Sequence, residues 1–334
     1  ALIFSSFYLY LTLELVFGII NSILLQWRIN ITYPWLQSDI RLGKKLFKKY
    51  PEISKYVKQL FVHKIGGFVQ FQLSPFLVYA YVSLPMVALY GNYTLVTQRI
   101  QSFLNAILNS TGAAVGNLIS EGNKQQIWRV YRELLAFRVF IAGFCAVSIF
   151  MLIDGFISVW LGEEYRLPQL VAFLICVQFF MAIVREVTEQ FIFGYGLFYD
   201  VWAPLVESAI FIIASMVFGS LYGLPGVLAG PLLSTFIIIY LWKPYFLFTK
   251  GFHYPVHRFW LLMVHNLIAL LIATVAAFWL YRLCIETVSL KGWTLWIVQS
   301  VVFAMIMGVC SLLCFYALNS DFRSFANRFV KKSR

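Results

Sequence analysis

The stretch LLAFRVFIAGFCAVSIFMLIDGFISVWL, residues 134–161, decides the fold class of this chain. Arg138 and Asp154 are its only charged residues. Its length exceeds the roughly 20 apolar residues that a helix needs to cross the hydrocarbon core of a bilayer. In the strands of a membrane barrel, apolar and polar residues alternate. They do not alternate along this stretch. The stretch therefore predicts a transmembrane α-helix.

Similar apolar runs recur along the whole chain, which is 61% hydrophobic and only 12% charged. A soluble domain is about 45–50% apolar and about 25% charged, so lipid is the expected solvent. Because lipid offers the backbone no hydrogen bonds, we predict an all-α polytopic bundle of about nine spans. The predicted spans are Ile3–Trp27, Ile65–Leu89, Tyr93–Ile119, Leu134–Leu161, Leu170–Phe193, Leu205–Leu221, Val227–Leu247, Phe259–Cys284 and Trp293–Leu318.

Basic residues are concentrated in alternate loops between these spans. They follow the first, third, seventh and ninth spans, and the group after the seventh includes Lys243, Lys250 and Arg258. Lysine and arginine resist translocation, so the rich side is predicted to be cytoplasmic. The first span then begins outside and the C-terminus lies in the cytoplasm. The net charge of +12 is explained by this asymmetry, and nucleic acid is not an expected partner.

The third predicted span, YTLVTQRIQSFLNAILNSTGAAVGNLIS at residues 93–120, carries a polar stripe. At about 100° per residue its amides fall within one arc of a helix. One interpretation is a helix that lines a wet cavity; the other is close helix packing by small and amide residues. The candidate cavity residues on this span are Gln98, Arg99, Gln101, Asn105 and Asn109.

Five further ionisable residues fall within predicted spans, where charge is costly and therefore often functional. They are Glu14, Arg185, Glu186, Glu189 and Glu207. Arg185 is a sixth cavity candidate, and its spacing from Glu189 allows an i, i+4 ion pair that could instead be purely structural. Glu207 opens its span and could simply cap a helix N-terminus.

No pattern typical of an enzyme is present. The five cysteines form no CxxC pair, and His253 and His257 are separated by Pro255 without an HExxH motif. We therefore predict no metal, no cofactor and no catalytic residue. A membrane-bound glycosyl or acyl transferase remains an alternative, although the acidic residues of the loops do not cluster.

Several segments resemble one family of membrane proteins. They are YGNYTLVTQRIQSFLNAILNSTGAAVGNLISEGN (90–123), KIGGFVQFQ (64–72), VWLGEEY (159–165) and FGYGLFYDVWAPLVESAI (193–210). Together they resemble bacterial O-antigen and polysaccharide flippases of the multidrug/oligosaccharidyl-lipid/polysaccharide exporter superfamily. That family has two six-helix lobes and, in some members, two extra C-terminal helices. Since the chain opens at Ala1 inside an apolar run, it is expected to be an N-terminally truncated fragment.

The resemblance implies a domain organisation. Its parts are residues 1–36, the last helix of the first lobe; 37–64, a basic cytoplasmic linker; 65–250, the six-helix second lobe; 251–320, the extra helix pair; and 321–334, a basic cytoplasmic tail.

The resemblance also implies a function, the movement of an undecaprenyl-pyrophosphate-linked oligosaccharide across the bacterial inner membrane by alternating access. The stripe amides would bind sugars, and Arg99 and Arg185 would bind the pyrophosphate, with Arg129, Arg132 and Arg138 at the cytoplasmic mouth. The candidates for binding a coupling proton or Na⁺ are Glu14, Glu186, Glu189 and Glu207. The alternatives are a multidrug exporter of the same superfamily, a membrane transferase, or a non-transporting scaffold.

Overall fold

The computed structural model of the chain describes residues 7–35, 43, 46, 49–285 and 292–332, and all regular structure within them is helical, as predicted. The helices are α1 (Phe7–Thr32), α2 (Pro51–Tyr81), α3 (Leu84–Leu108), α4 (Thr111–Ser120), α5 (Lys124–Trp160), α6 (Gln169–Gly194), α7 (Trp202–Tyr222), α8 (Leu224–Phe252), α9 (His257–Ile285), α10 (Gly292–Leu318) and α11 (Ser320–Lys332). The chain divides into two compact units, Ala1–Lys58 and Gln59–Arg334.

Seven of the described helices, α1 and α5 to α10, are long and apolar enough to cross a membrane. The chain thus has the helices of a multi-pass membrane protein, and the seven correspond to seven of the nine predicted spans. The other two predictions, Ile65–Leu89 and Tyr93–Ile119, do not correspond to single helices. The first residues of the first predicted span, Ile3 to Ser6, and much of the linker between 36 and 48 lie outside the described residues.

The predicted span Ile65–Leu89 was wrong because the chain leaves the helix at Val82 and Ser83. Ser83 is extended, and its hydroxyl accepts a hydrogen bond from the Met86 amide at 3.3 Å, which starts α3 as an N-cap does. Pro85 lies in the first turn of α3, where its missing amide hydrogen is tolerated. In the other direction, α2 extends back to Pro51, so no helix end marks the predicted boundary at residue 64.

The predicted span Tyr93–Ile119 is interrupted at Asn109 and Ser110. The hydroxyls of Ser110 and Thr111 donate to the carbonyl oxygens of Ile107 and Leu108 at 2.7 and 2.8 Å. Such short side chains compete with backbone amides for helix carbonyls. The break therefore follows from the run Asn-Ser-Thr-Gly at residues 109–112.

Helices α5 and α6 form the centre of the second unit, and α3, α4, α8, α9 and α10 contact one or both of them. Buried apolar side chains fill these contacts, while large apolar side chains on the outer faces are exposed. Ile213, Leu271 and Leu313, for example, are 63%, 63% and 62% exposed. Apolar side chains outside and polar side chains inside are what a lipid solvent requires.

Helices α7 and α8 pack unusually closely through small residues. A Cβ atom on Gly226 would overlap the carbonyl group of Phe218, and one on Gly230 would overlap the Ser215 hydroxyl. The Ser215 hydroxyl donates instead to the Val227 carbonyl at 3.0 Å. Close approach through glycine is a common way for membrane helices to associate, and it makes α7 and α8 one rigid hairpin.

The predicted basic tail is largely an ordered helix, α11, that docks on the start of α5. Arg328 pairs with the buried carboxylate of Glu133 at 2.8 Å, and the Ser324 hydroxyl donates to the same carboxylate at 2.6 Å. Asp321 pairs with Arg132 at 3.2 Å. Burial raises the pKa of Asp321, against the opposing attraction of nearby cations. Residues 333 and 334 lie outside the described residues.

Candidate functional site

A polar cavity of about 460 Å³ lies between α2, α3, α6 and α8, within the second unit. Its lining includes Gln72, Ser74, Tyr90, Thr94, Thr97, Gln98, Gln101, Gln178 and Arg185, together with apolar residues of α6 and α8. Arg185 is the only charged residue in the described lining. The space is large enough for a small sugar or a phosphate group, which need hydrogen bonds from the walls.

Three of the six predicted cavity residues line this space: Gln98, Gln101 and Arg185. Arg99 is exposed and does not belong to the described lining. Asn105, in the last turn of α3, and Asn109, at the break, also lie outside the lining. The structure therefore brings part of the predicted stripe to the cavity and directs the remainder elsewhere.

The four glutamine side chains of the lining come from three helices: Gln72 from α2, Gln98 and Gln101 from α3, and Gln178 from α6. None of them makes a hydrogen bond to any part of the chain that the structure describes. The hydroxyl of Thr94, which also lines the cavity, donates to backbone carbonyls of α3 itself. Unpaired amides are costly in an apolar bundle unless water or a ligand satisfies them.

Arg185 sits in an ion cluster at one end of the cavity. Its Nη2 lies 2.7 Å from Glu189 Oε1, and its Nε donates to the same oxygen at 3.0 Å. The predicted pair at i, i+4 is therefore confirmed. Glu207 of α7 approaches Arg185 Nη1 at 3.8 Å. Because α7 begins five residues earlier, at Trp202, the interpretation of Glu207 as a helix cap was wrong.

The other two coupling candidates lie apart from this direct contact. Glu186 is half-buried on α6 and interacts electrostatically with both Arg185 and Arg138. Glu14 is exposed on α1, beside Leu11, Gly18 and Ser22, in the first unit. Two of the four predicted carboxylates thus share one arginine, and a third acts on it at longer range.

Arg138 is buried, with 2% of its surface exposed, and does not lie at an open mouth as predicted. Its Nη2 donates to the Leu108 carbonyl at 3.1 Å and to Asn109 Oδ1 at 2.9 Å, and its Nη1 donates to the Ile183 carbonyl at 3.4 Å. Gln190 of α6 completes this network by donating to the same Asn109 oxygen at 3.3 Å. Asn109, a predicted sugar ligand, is instead held by these two side chains at the break between α3 and α4.

A buried ion pair that sequence reasoning missed joins Lys243 to Asp200 at 2.8 Å, with 6% and 1% of the two side chains exposed. Lys243 and Lys250 lie inside α8 and not in a loop, so their inclusion in the loop charge count was wrong. The available signal was Asp200 itself, an acidic residue in a short apolar loop. Its partner is 43 residues away, and no local pattern connects the two.

In the described part of the chain, no group of three or more histidine, cysteine, aspartate or glutamate residues is arranged so that it could hold a metal ion. His253 adopts a left-handed backbone conformation, with φ 57°, at the end of α8, and His257 begins α9.

Comparison with known proteins gives no relative: no family model, no curated protein and no solved structure matches this chain.

Proposed function

We propose that this chain belongs to a membrane transporter that moves a pyrophosphate-linked oligosaccharide lipid, of the undecaprenyl type, across the bacterial inner membrane by alternating access. The observation that carries the proposal is the cavity, which is lined by four glutamine amides without a hydrogen bond to the described chain and by one guanidinium, between the apolar helices α6 and α8 and the more polar helices α2 and α3. It is a noncatalytic function. The proposal includes the two-lobed arrangement with nine spans, in which α2 and α3 cross the membrane despite their polar residues.

The proposed orientation places the C-terminus in the cytoplasm. Even without Lys243 and Lys250, the loops after the first and third predicted spans and the chain end hold most of the lysine and arginine residues, so the positive-inside argument keeps its direction. In this orientation α3 begins at the outer surface and the break at Asn109 lies toward the cytoplasm. The cavity then extends from the outer half of the bundle to its middle, where Arg185 lies.

The chemistry of the cavity suits a glycan with an anionic anchor. Glutamine amides offer both donors and acceptors, which is what sugar hydroxyls need. A guanidinium forms paired hydrogen bonds with phosphate oxygens. In this proposal Gln98, Gln101 and Gln178 bind sugar, and Arg185 binds the pyrophosphate when its carboxylate partners release it.

The ion cluster supplies a physical basis for coupling. Glu189 and Glu207 together carry two negative charges against the one positive charge of Arg185. A phosphate would have to compete with these carboxylates for the same guanidinium. A proton or Na⁺ bound to one carboxylate weakens its hold on Arg185, so cation binding and substrate binding at this site are linked.

The multidrug exporter alternative finds less support in the cavity. Cationic drugs need acidic walls, and no carboxylate lines the cavity among the residues that the structure describes. A transferase would need an acid, a base or a nucleophile facing the substrate. The described lining holds no carboxylate, histidine or cysteine for such a role, and its hydroxyl groups are those of Ser74, Tyr90 and three threonines.

The experiment is a flipping assay with the purified protein in liposomes that contain a pyrophosphate-linked oligosaccharide lipid, using the accessibility of the glycan to an added glycosidase as readout. Wild-type protein should raise the transfer rate above that of empty liposomes. Arg185→Gln should lower the rate about 10- to 100-fold, because a hydrogen bond to a charged group contributes about 1.5–3 kcal/mol.

The matched control is Arg99→Gln, which removes the same charge from an exposed position outside the lining and should leave the rate within about two-fold of wild type. Equal folding of the variants is checked by size-exclusion chromatography. Transfer no faster than in empty liposomes would contradict the proposed function. Wild-type transfer by Arg185→Gln would contradict the assignment of Arg185, and turnover of a nucleotide-activated sugar would favour a transferase.

A further inference from the structure

A second concave site, which we call the aromatic niche, lies where the loop at residues 195–201 meets the C-terminal half of α8. It has a volume of about 300 Å³. Tyr199, Trp202, Trp242 and Tyr245 form its walls, and Thr249 and Lys250 also line it. None of these residues takes part in the polar cavity or in its ion cluster.

An irregular stretch of helix α8 forms one side of the niche. The helix is π-helical over Phe236–Trp242 and again over Phe248–Phe252. A π-helical turn is wider than an α-helical turn, is rare, and is frequently associated with functional sites. Here the two π-helical segments bracket Tyr245 and contain Trp242 and Lys250, so the niche residues come from the part of α8 that departs from regular geometry.

The loop that forms the other side is fixed by the buried ion pair. The carboxylate of Asp200 accepts hydrogen bonds from Lys243 Nζ at 2.8 Å and from Trp242 Nε1 at 3.3 Å. Burial of both ions is costly, and their pairing leaves this part of the niche neutral. The charge that remains in the lining is the ammonium group of Lys250, which is exposed.

The aromatic walls are accessible although they lie on ordered helices. Tyr199, Trp202 and Tyr245 are 52%, 44% and 49% exposed, and the rings of Trp202 and Trp242 meet edge to face with centroids 4.6 Å apart. Tryptophan and tyrosine with one apolar and one wet side are typical of the membrane–water interface. A surface of this kind, with one adjacent cation, complements a molecule that is apolar at one end and anionic at the other.

We propose that the aromatic niche binds the headgroup of an anionic glycerophospholipid. The phosphate accepts hydrogen bonds from Lys250 and from the Thr249 hydroxyl, and the glycerol and first acyl carbons contact the aromatic walls. Lysine binds phosphate as a compact point charge, and lysines near an anionic leaflet gain from its negative surface potential. The inference depends on the membrane placement of α8, and it holds whether or not the polar cavity transports a glycan.

The test measures lipid retention by the full chain after purification in mild detergent, using native mass spectrometry with added phosphatidylglycerol. Lys250→Gln should lower the retained phosphatidylglycerol about five-fold relative to wild type, and Thr249→Val should lower it less. Wild type should retain less phosphatidylcholine than phosphatidylglycerol. Lys250→Gln should retain the two lipids equally.

The matched control is Lys124→Gln, which removes an exposed lysine at the start of α5, on the same proposed side of the membrane. Retention should stay at the wild-type value in this variant. Equal losses in the Lys124 and Lys250 variants would overturn the inference, because they would show only a general attraction to anionic lipid. Full competition by inorganic phosphate alone would overturn it in favour of a free anion.

Discussion

Replacing Arg138 with methionine removes the guanidinium that joins the break between α3 and α4 to helix α6. The side chain is almost completely buried, so methionine can occupy much of its volume without exposing the core. The hydrogen bonds to Leu108, Asn109 and Ile183 are lost. The perturbation therefore tests whether these polar contacts stabilise the break.

The expected loss follows from the partners that remain. A hydrogen bond to a charged group contributes about 1.5–3 kcal/mol. The Leu108 carbonyl keeps the Thr111 hydroxyl, and Asn109 keeps Gln190, so neither acceptor is left without a donor. The bond to Ile183 is long at 3.4 Å and contributes little. The Arg138→Met variant loses two strong hydrogen bonds, but it no longer has to bury a cation, which offsets part of that loss. The free energy of unfolding should therefore fall by about 2–3 kcal/mol.

Equilibrium unfolding in mixed detergent micelles, followed by tryptophan fluorescence, measures this loss. The matched control is Arg129→Met, which removes the same charge from an exposed position on the same helix and should change the free energy of unfolding by less than about 0.5 kcal/mol. If the Arg138 and Arg129 variants were equally stable, the hydrogen bonds at the break would carry no net stabilisation and the reasoning would fail.

Two further predictions concern packing and pH. Gly226→Ala should lower the free energy of unfolding by about 1–3 kcal/mol, since the new Cβ would overlap the backbone of α7, whereas Gly91→Ala, which meets open space, should be neutral or slightly stabilising. The pKa of Asp321 is raised in the folded state, so the folded state binds a proton at this carboxylate more tightly than the unfolded state does. As the pH falls from the folded pKa toward the ordinary aspartate value, protonation of this group therefore increasingly favours folding. Asp321→Asn should flatten that part of the stability–pH curve measured by thermal unfolding, with Arg132 and His265 left in place; an unchanged slope would contradict the assignment.

Hydropathy alone was sufficient for seven of the helices. The run at residues 134–161 lies within α5 except for its last residue, Leu161, and the run Leu170–Phe193 matches α6 to within one residue at each end. Lipid imposes this correspondence, because a long apolar run can neither remain exposed to water nor form an open sheet in a bilayer. The two failures were helix breaks, and their local signals were present as Ser83 with Pro85 and as the polar run at 109–112.

The candidate site was predictable only where contacts are local. Arg185 and Glu189 are one helical turn apart, so their pairing follows from sequence spacing. Gln98 and Gln101 reach the cavity, whereas Asn105, one turn further along α3, and Asn109, at the break, do not. Helical phase places all four amides on one arc, but it does not show how far along α3 the cavity extends. The approach of Glu207 and the pairing of Lys243 with Asp200 depend on tertiary packing, which no periodicity encodes.

The two internal arginines of the second unit differ in the partners that they have. The described hydrogen-bond acceptors of Arg138 are two backbone carbonyls and one amide, none of which changes charge with protonation or cation binding. The direct partners of Arg185 are two carboxylates, which can change charge. In the proposed mechanism, Arg138 therefore holds its helices in a fixed relation, while the contacts of Arg185 would weaken on binding of a cation. Of the two arginines, only Arg185 lines the cavity, so the proposed mechanism assigns the exchange of partners to the arginine that a ligand in the cavity would reach.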